Sequence, residues 1–435
     1  MLNNWRRTVF VFCAALSAFV LVYVVYAHVL SATRMAAGPP QDFRESFGVS
    51  DGLPRGYDVR KRGTLGWTAR GGVLSIEGAG HAGDELVFTA APHRFEDSVM
   101  VLRFRSRSSE PLEVFVGLEA KDRAVSSAYV IAPTPFVHIG GDISGPFRSG
   151  EAVEDARIDG GGASEEWHTL AFQIAPRYST AAAFVDGKPV VSTAVLWPQA
   201  VDSRIAIGVR LRGDVTHANV EIDSLSMQTL DELASSFDDT FNGEILDSQR
   251  WIVQYPDFNI ATLDVRLAKG KGLLLDGKVT GIVGEHTPFY FVRTPPFALR
   301  SFHATADFTV AEIKDARVFF GIIGSSSWTS MDKLFDVAVL ERGGKSLSDA
   351  TGAWSDNGEV RFEIGPEMTF PRRLRLELDY DAKSGVGTAL VDDKVVSKHR
   401  LDLKPLDMVS LRLGSGGYSI GALSRVAVHR ISLEM

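Results

Sequence analysis

Two short stretches place carboxylates at alternate positions, Glu221-Ile222-Asp223 and Glu377-Leu378-Asp379. Alternate residues of a β-strand share one face. Two carboxyls about 5–5.5 Å apart on one face are the pairing that retaining cleavage of a glycosidic bond requires. The first stretch lies in the closing strand of its segment and the second runs straight into a turn. Both therefore read as solvent-facing strand carboxylates, and no catalytic residue is assigned. Asp379, Asp381 and Ser384 also offer the oxygen donors that Ca²⁺ takes from a tight loop. A plain hairpin with Asp and Gly as turn formers accounts for them better.

Other chemistries find less support. The histidines are scattered without metal-ligand spacing, so no metal site and no cofactor are expected. Cys13, the only cysteine, stands in an apolar run, which excludes both a thiol nucleophile and an intramolecular disulfide. There is no Gly-x-Ser-x-Gly elbow. The more suggestive features are two polar segments, 324–330 and 348–357, each carrying one tryptophan. An aromatic ring beside Asp and Asn can stack on a sugar and bond its hydroxyls. Trp328, Trp354, Asp356 and Asn357 are accordingly the candidate ligand-binding residues; the competing reading folds each ring back as a loop anchor.

The elements that must position these groups are β-strands. Leu170-Ala171-Phe172-Gln173-Ile174 and Leu374-Arg375-Leu376-Glu377-Leu378 alternate in the manner of half-buried strands. Asp186-Gly187 between apolar pairs signals a tight hairpin. The chain also repeats itself. Val185-Asp186-Gly187-Lys188 matches Val391-Asp392-Asp393-Lys394, Ile205 to Gly208 matches Leu411 to Gly414, and Ile222 to Leu225 matches Val428 to Ile431, each offset by 206 residues. A period this long means duplicated domains rather than a solenoid.

Thr8 to Leu30 contains no Asp, Glu, Lys or Arg and as a helix would reach about 35 Å, enough to cross a bilayer core. Arg6 and Arg7 precede it, which places the N-terminus in the cytoplasm and the body outside, periplasmic or extracellular. A cleaved signal peptide is the competing reading, with Val25-Tyr26-Ala27 as its site, but the apolar run is longer than such a segment needs. The expected order is a cytoplasmic N-terminus (1–7), a transmembrane helix (8–30), a linker (31–41), a first β-sandwich (42–229), a linker (230–236) and a second β-sandwich (237–435). A net charge of −8 without a basic run outside the N-terminus argues against nucleic acid as a partner.

Phe237-Asp238-Asp239-Thr240-Phe241-Asn242-Gly243 with Trp251, and the late hairpin Tyr380 to Gly385 followed by Val391 to Lys394, resemble concanavalin A-like lectin/glucanase domains. The resemblance implies an all-β fold of two tandem antiparallel jelly-roll sandwiches, and is unspecific for activity. The family 16 hydrolases within that superfamily carry Glu-x-Asp-x-x-Glu. Here Ser226 and Ala382 stand where the last Glu belongs. The expectation is a membrane-anchored binding or scaffold protein that recognises a glycan or a protein partner. The alternatives are a divergent glycoside hydrolase acting on envelope polysaccharide and an accessory subunit of an integral membrane complex.

Overall fold

Strand burial follows the alternation in the sequence: along Leu423–Glu434 the apolar positions Val426, Val428, Ile431 and Leu433 turn inward while Arg425, Arg430 and Glu434 turn out. The computed structural model describes residues 43–47, 52–53, 56–93, 97–108, 110–120, 123–132, 136–140, 156–157, 166–175, 180–194, 203–230, 236–243, 246–248, 250–254, 261–279, 289–324, 334–353, 360–401, 403 and 408–435. Every regular element among them is a strand. The run 8–30 and the linkers 31–41 and 231–235 lie outside the described residues. No helix among the described residues is long and apolar enough to cross a membrane.

The first group of strands is β1 (Phe43–Ser46), β2 (Asp58–Arg62), β3 (Gly66–Arg70), β4 (Val73–Gly80), β5 (Glu85–His93), β6 (Ser98–Ser106), β7 (Leu112–Ala120), β8 (Arg123–Ala132), β9 (Phe136–Gly140), β10 (Ala156–Arg157), β11 (His168–Ala175), β12 (Thr180–Val185), β13 (Lys188–Ala194), β14 (Ser203–Leu211) and β15 (Val215–Thr229). They form sheet A, in the order β3-β4-β15-β6-β11-β12-β13 with β1 also on β15, and sheet B, in the order β2-β5-β14-β7-β8-β9-β10. One core joins the inner faces, Leu74, Leu102, Phe172 and Ile222 from sheet A meeting Phe88, Val116 and Ile207 from sheet B.

The second group is β16 (Phe237–Asp239), β17 (Ile252–Gln254), β18 (Ala261–Ala268), β19 (Gly272–Val279), β20 (Phe289–Arg293), β21 (Phe297–Ala298), β22 (Phe302–Lys314), β23 (Ala316–Gly324), β24 (Leu334–Arg342), β25 (Lys345–Ala353), β26 (Val360–Glu367), β27 (Arg372–Asp381), β28 (Val386–Val391), β29 (Lys394–Arg400), β30 (Met408–Gly417) and β31 (Leu423–Glu434). Sheet C runs β18-β19-β31-β22-β27-β28-β29 with β16 on β31; sheet D runs β17-β20-β30-β23-β24-β25-β26 with β21 on β30. Strand for strand, C repeats A, and D repeats B with β21 added.

The repeat extends to single atoms. Asp186 and Asp392 both sit at φ 49° in their hairpin turns, the positive value such turns require. Each donates its N–H to the carbonyl of the strand opposite (Thr169, 2.9 Å; Arg375, 2.9 Å), and each carboxylate accepts from that residue's N–H (2.8 and 3.0 Å). Gly208 opposes Phe115 in the first sandwich as Gly414 opposes Phe319 in the second. A Cβ at Gly208 would lie 2.8 Å from the Phe115 ring, so glycine is what lets the ring lie across the sheet.

Residues 42–435 form one compact unit because the second sandwich packs on the outer face of sheet A. Ala171, Ala182 and Phe184 join the core of the second sandwich, and Val99, Ala175 and Leu230 pack on Ile252. The Gln173 side chain lies at the centre of this contact. Its amide donates to the carbonyls of Ser248 (2.6 Å) and Trp251 (2.9 Å) and accepts from Val253 N–H (3.4 Å). Leu246 N–H adds a bond to Gly187 O (3.1 Å).

Candidate functional site

Trp328, Trp354, Asp356 and Asn357 lie outside the described residues. Their flanks are defined: Gly324, Leu334, Ala353 and Val360 all stand at the same end of the adjacent strands β23 to β26 in sheet D. Glu221 and Asp223 are half-buried on the outer face of sheet A and are held by arginines. Glu221 pairs with Arg105 and, at 3.7 Å, with Arg107; Asp223 pairs with Arg103 at 2.8 Å. The Arg103 and Arg105 guanidiniums lie over the Trp167 ring at 5.1 and 4.6 Å.

The second carboxylate stretch corrects the sequence expectation. Glu377 is not solvent-facing; it is buried, 6% exposed, between Thr305 and Leu390 on the outer face of sheet C. Burial raises its pKa, the Asp393 carboxyl adds to the rise, and Arg375 and His303 oppose it. Asp381 and Ser384 make the turn that the hairpin reading gives them. Asp381 accepts from Lys383 N–H (3.0 Å) and from the Ser384 hydroxyl (2.7 Å), which holds its carboxyl below the usual range.

Around these residues lies a groove of about 670 Å³. Its floor is a single transverse row across five strands: Glu434 on β31, His303 on β22, Asp379 on β27, Thr388 on β28 and Lys398 on β29. His303 Nδ1 is 2.6 Å from Asp379 Oδ1, and its Nε2 is 3.8 Å from Glu377. Ser301 and the Asp381–Ser384 turn wall one end, with Ser301 Oγ accepting from Ala382 N–H at 2.9 Å. Sequence reading missed His303, Thr388, Lys398 and Glu434. The available signal was the 206-residue offset, which maps Gln173, Ala182, Ser192 and Gln228 onto Asp379, Thr388, Lys398 and Glu434.

A second charged surface covers the outer face of sheet B. Glu85 is 3.2 Å from Arg210 and 3.6 Å from Arg60; Glu113 is 2.6 Å from Arg212 and 3.6 Å from Arg210. Glu119 pairs with Arg60, and Asp58 with Arg204. Val87, Phe115 and Ala206 form a small apolar patch among them. The corresponding face of sheet D carries a buried pair instead. Arg412 grips Asp336 bidentately along one guanidinium edge, Nε donating to Oδ1 at 3.2 Å and Nη2 to Oδ2, and Gly321 leaves the space that the carboxylate fills. No group of carboxylates, histidines or cysteines that could hold a metal ion occurs among the described residues.

Solved structures of two glucan-related enzymes and a carbohydrate recognition domain are similar to this chain over part of its length. LamA from Z. galactanivorans in complex with laminaritriose and laminaritetraose is 11% identical at a TM-score of 0.35, covering 46% of this chain and 98% of that one. A Bacillus licheniformis β-glucanase is 12% identical at 0.34, covering 44% and 100%. The Emp47p carbohydrate recognition domain is 11% identical at 0.33, covering 42% and 93%. No protein-family model and no curated relative matches the sequence.

Proposed function

We propose that this chain is a membrane-anchored, extracytoplasmic binding or scaffold protein that recognises its partner without catalysis. The observation that carries this reading is the arginine pairing of strand carboxyls, Glu221 and Asp223 on the outer face of sheet A and a larger set on that of sheet B. Glu85, Glu113 and Glu119 are each paired with arginine there. A glycosidase presents one carboxyl able to hold a proton and one able to attack, with a substrate between them. The ion-paired carboxyls of sheets A and B present neither, and on sheet C Glu377 is buried beneath the groove while Asp379 is held by His303. The apolar run 8–30 supports the anchor, and the repeat supports a division into domains at 230–236.

Two measurements test the proposal. The full-length protein, drawn from membranes in mild detergent and analysed by mass spectrometry, brings down a stoichiometric partner, or it retains specific glycans on an array. Incubation with laminarin and lichenan releases no new reducing ends. Sustained release of oligosaccharide, abolished by Glu113→Gln, would restore the hydrolase. Empty results in both binding assays would sink the binding role itself.

A further inference from the structure

We propose that the transverse row Glu434–His303–Asp379–Thr388–Lys398 is a binding site for an extended peptide segment that carries a basic side chain. This rests on the binding-protein reading above and gives that reading a location and a ligand class.

The first sandwich shows what a row at this position can hold. Its counterpart runs Gln228–Val99–Gln173–Ala182–Ser192, in the same register across the equivalent strands. Polypeptide lies on it: Gln173 bonds the carbonyls of Ser248 and Trp251 and the N–H of Val253, while Leu246 is tied to Gly187. The second sandwich presents the same row as an open groove. Four inter-strand spacings make the row about 19 Å long, the reach of about six residues of extended chain.

The side chains in the groove decide the class of ligand. Gln173 both donates and accepts, as suits a neutral backbone; Asp379, which replaces it, only accepts when ionised. Glu434 adds negative charge at one end of the row, His303 beside it holds the Asp379 carboxylate at 2.6 Å, Asp381 walls the groove two residues further along β27, and Lys398 closes the other end. A complementary segment therefore brings a Lys or Arg to the Glu434–Asp379 end and carbonyls to Lys398. A sugar is the poorer fit. The aromatic residues of the lining, Phe302 and Tyr380, are 5% and 3% exposed, so neither offers a face for a ring to stack on.

The test is fluorescence anisotropy with the full-length protein in detergent micelles. The probes are fluorescein-labelled hexapeptides, Gly-Arg-Ser-Arg-Gly-Ser and its Glu-for-Arg counterpart, with laminarihexaose as competitor. The basic peptide is expected to bind and the acidic one not to, with laminarihexaose without effect. Asp379→Asn should weaken binding at least tenfold, and Thr388→Trp, which blocks the row, should abolish it. Asp214→Asn, an exposed change on the first sandwich, should leave it unaltered. Thermal unfolding of each variant checks that the fold is kept; Asp379→Asn keeps side-chain size and guards against a misfolded Thr388→Trp. Equal binding of both peptides, displacement by laminarihexaose, or binding indifferent to both groove variants would overturn the proposal. A membrane partner still captured by the Asp379→Asn and Thr388→Trp proteins would remove the site while leaving the binding function standing.

Discussion

The outer faces of sheets A and C share strand order, register and a transverse row, yet one is covered by protein and the other opens as a polar groove. Val99, Gln173 and Ala182 on the first are His303, Asp379 and Thr388 on the second. Apolar atoms around one amide make a face that gains by being covered. A carboxylate, an imidazole and a hydroxyl in the same places make a face that would lose hydration if another sandwich settled on it. The substitution leaves the outer face of sheet C polar, much as a polar outer face caps a repeat protein. The fold supplies the platform, and a few outward side chains decide whether it docks or stays open.

Phe184 gives the hardest test of this contrast. It is fully buried and belongs to the core of the second sandwich although its strand belongs to the first. Phe184→Ala should cost about 4 kcal/mol. Urea unfolding of the full-length protein should then separate into two transitions. One unshifted transition would mean that the junction contributes little. The outer faces of sheets B and D offer the next contrast, an ion-pair lattice against a buried pair. Asp336→Asn leaves Arg412 buried beside a neutral partner and should cost about 3 kcal/mol. Glu85→Gln, in the partly exposed lattice, should cost less than about 1 kcal/mol. Equal losses in the two would erase the distinction.

Gln173→Ala comes below these. It removes the amide that satisfies two carbonyls and an N–H of the docked segment, at about 2 kcal/mol. Asp379→Asn, its counterpart on the open face, should leave the unfolding midpoint within about 0.5 kcal/mol of wild type. A loss in the second as large as in the first would mean that the open face is also structural.

Much of this architecture was legible in the chain itself. Alternation in Leu374 to Leu378, the Asp186-Gly187 turn and the 206-residue offset name strands, hairpin and repeat from local pattern alone. The docked face was not legible, since Val99, Ala171 and Phe184 look like ordinary strand residues until register places them on the outside. Nor was the groove. Glu434, His303, Asp379, Thr388 and Lys398 come from five strands spread over more than a hundred residues, and only cross-strand pairing assembles them. Glu377 reads as a surface carboxylate because alternation tells which face it takes and not what surrounds it there.

The smallest contrast lies in the two equivalent turns. Asp186 pairs with His168 at 2.8 Å, whereas Asp392 pairs with Arg372, whose charge does not titrate in the accessible range. The hydrogen bond to Asp186 raises the His168 pKa above its ordinary 6.5 against the opposing effect of burial. Burial alone would raise Asp186, but its bonds to His168 and Thr169 bring it below the ordinary 3.8. The histidine's contribution to stability is therefore complete below about pH 6.5 and is lost as pH rises through its elevated value. The aspartate's contribution is complete above about pH 4 and is lost as pH falls through its depressed value. Both act together only between those limits. The side chains are 29% and 44% exposed, so solvent screening holds the effect to a few tenths of a kcal/mol. Urea midpoints measured from pH 5 to 8 should fall slightly more for wild type than for His168→Gln, while Arg372→Gln should leave that slope as it is. If the slope instead disappears in Arg372→Gln and survives in His168→Gln, the titrating turn belongs to the second sandwich and the assignment is reversed.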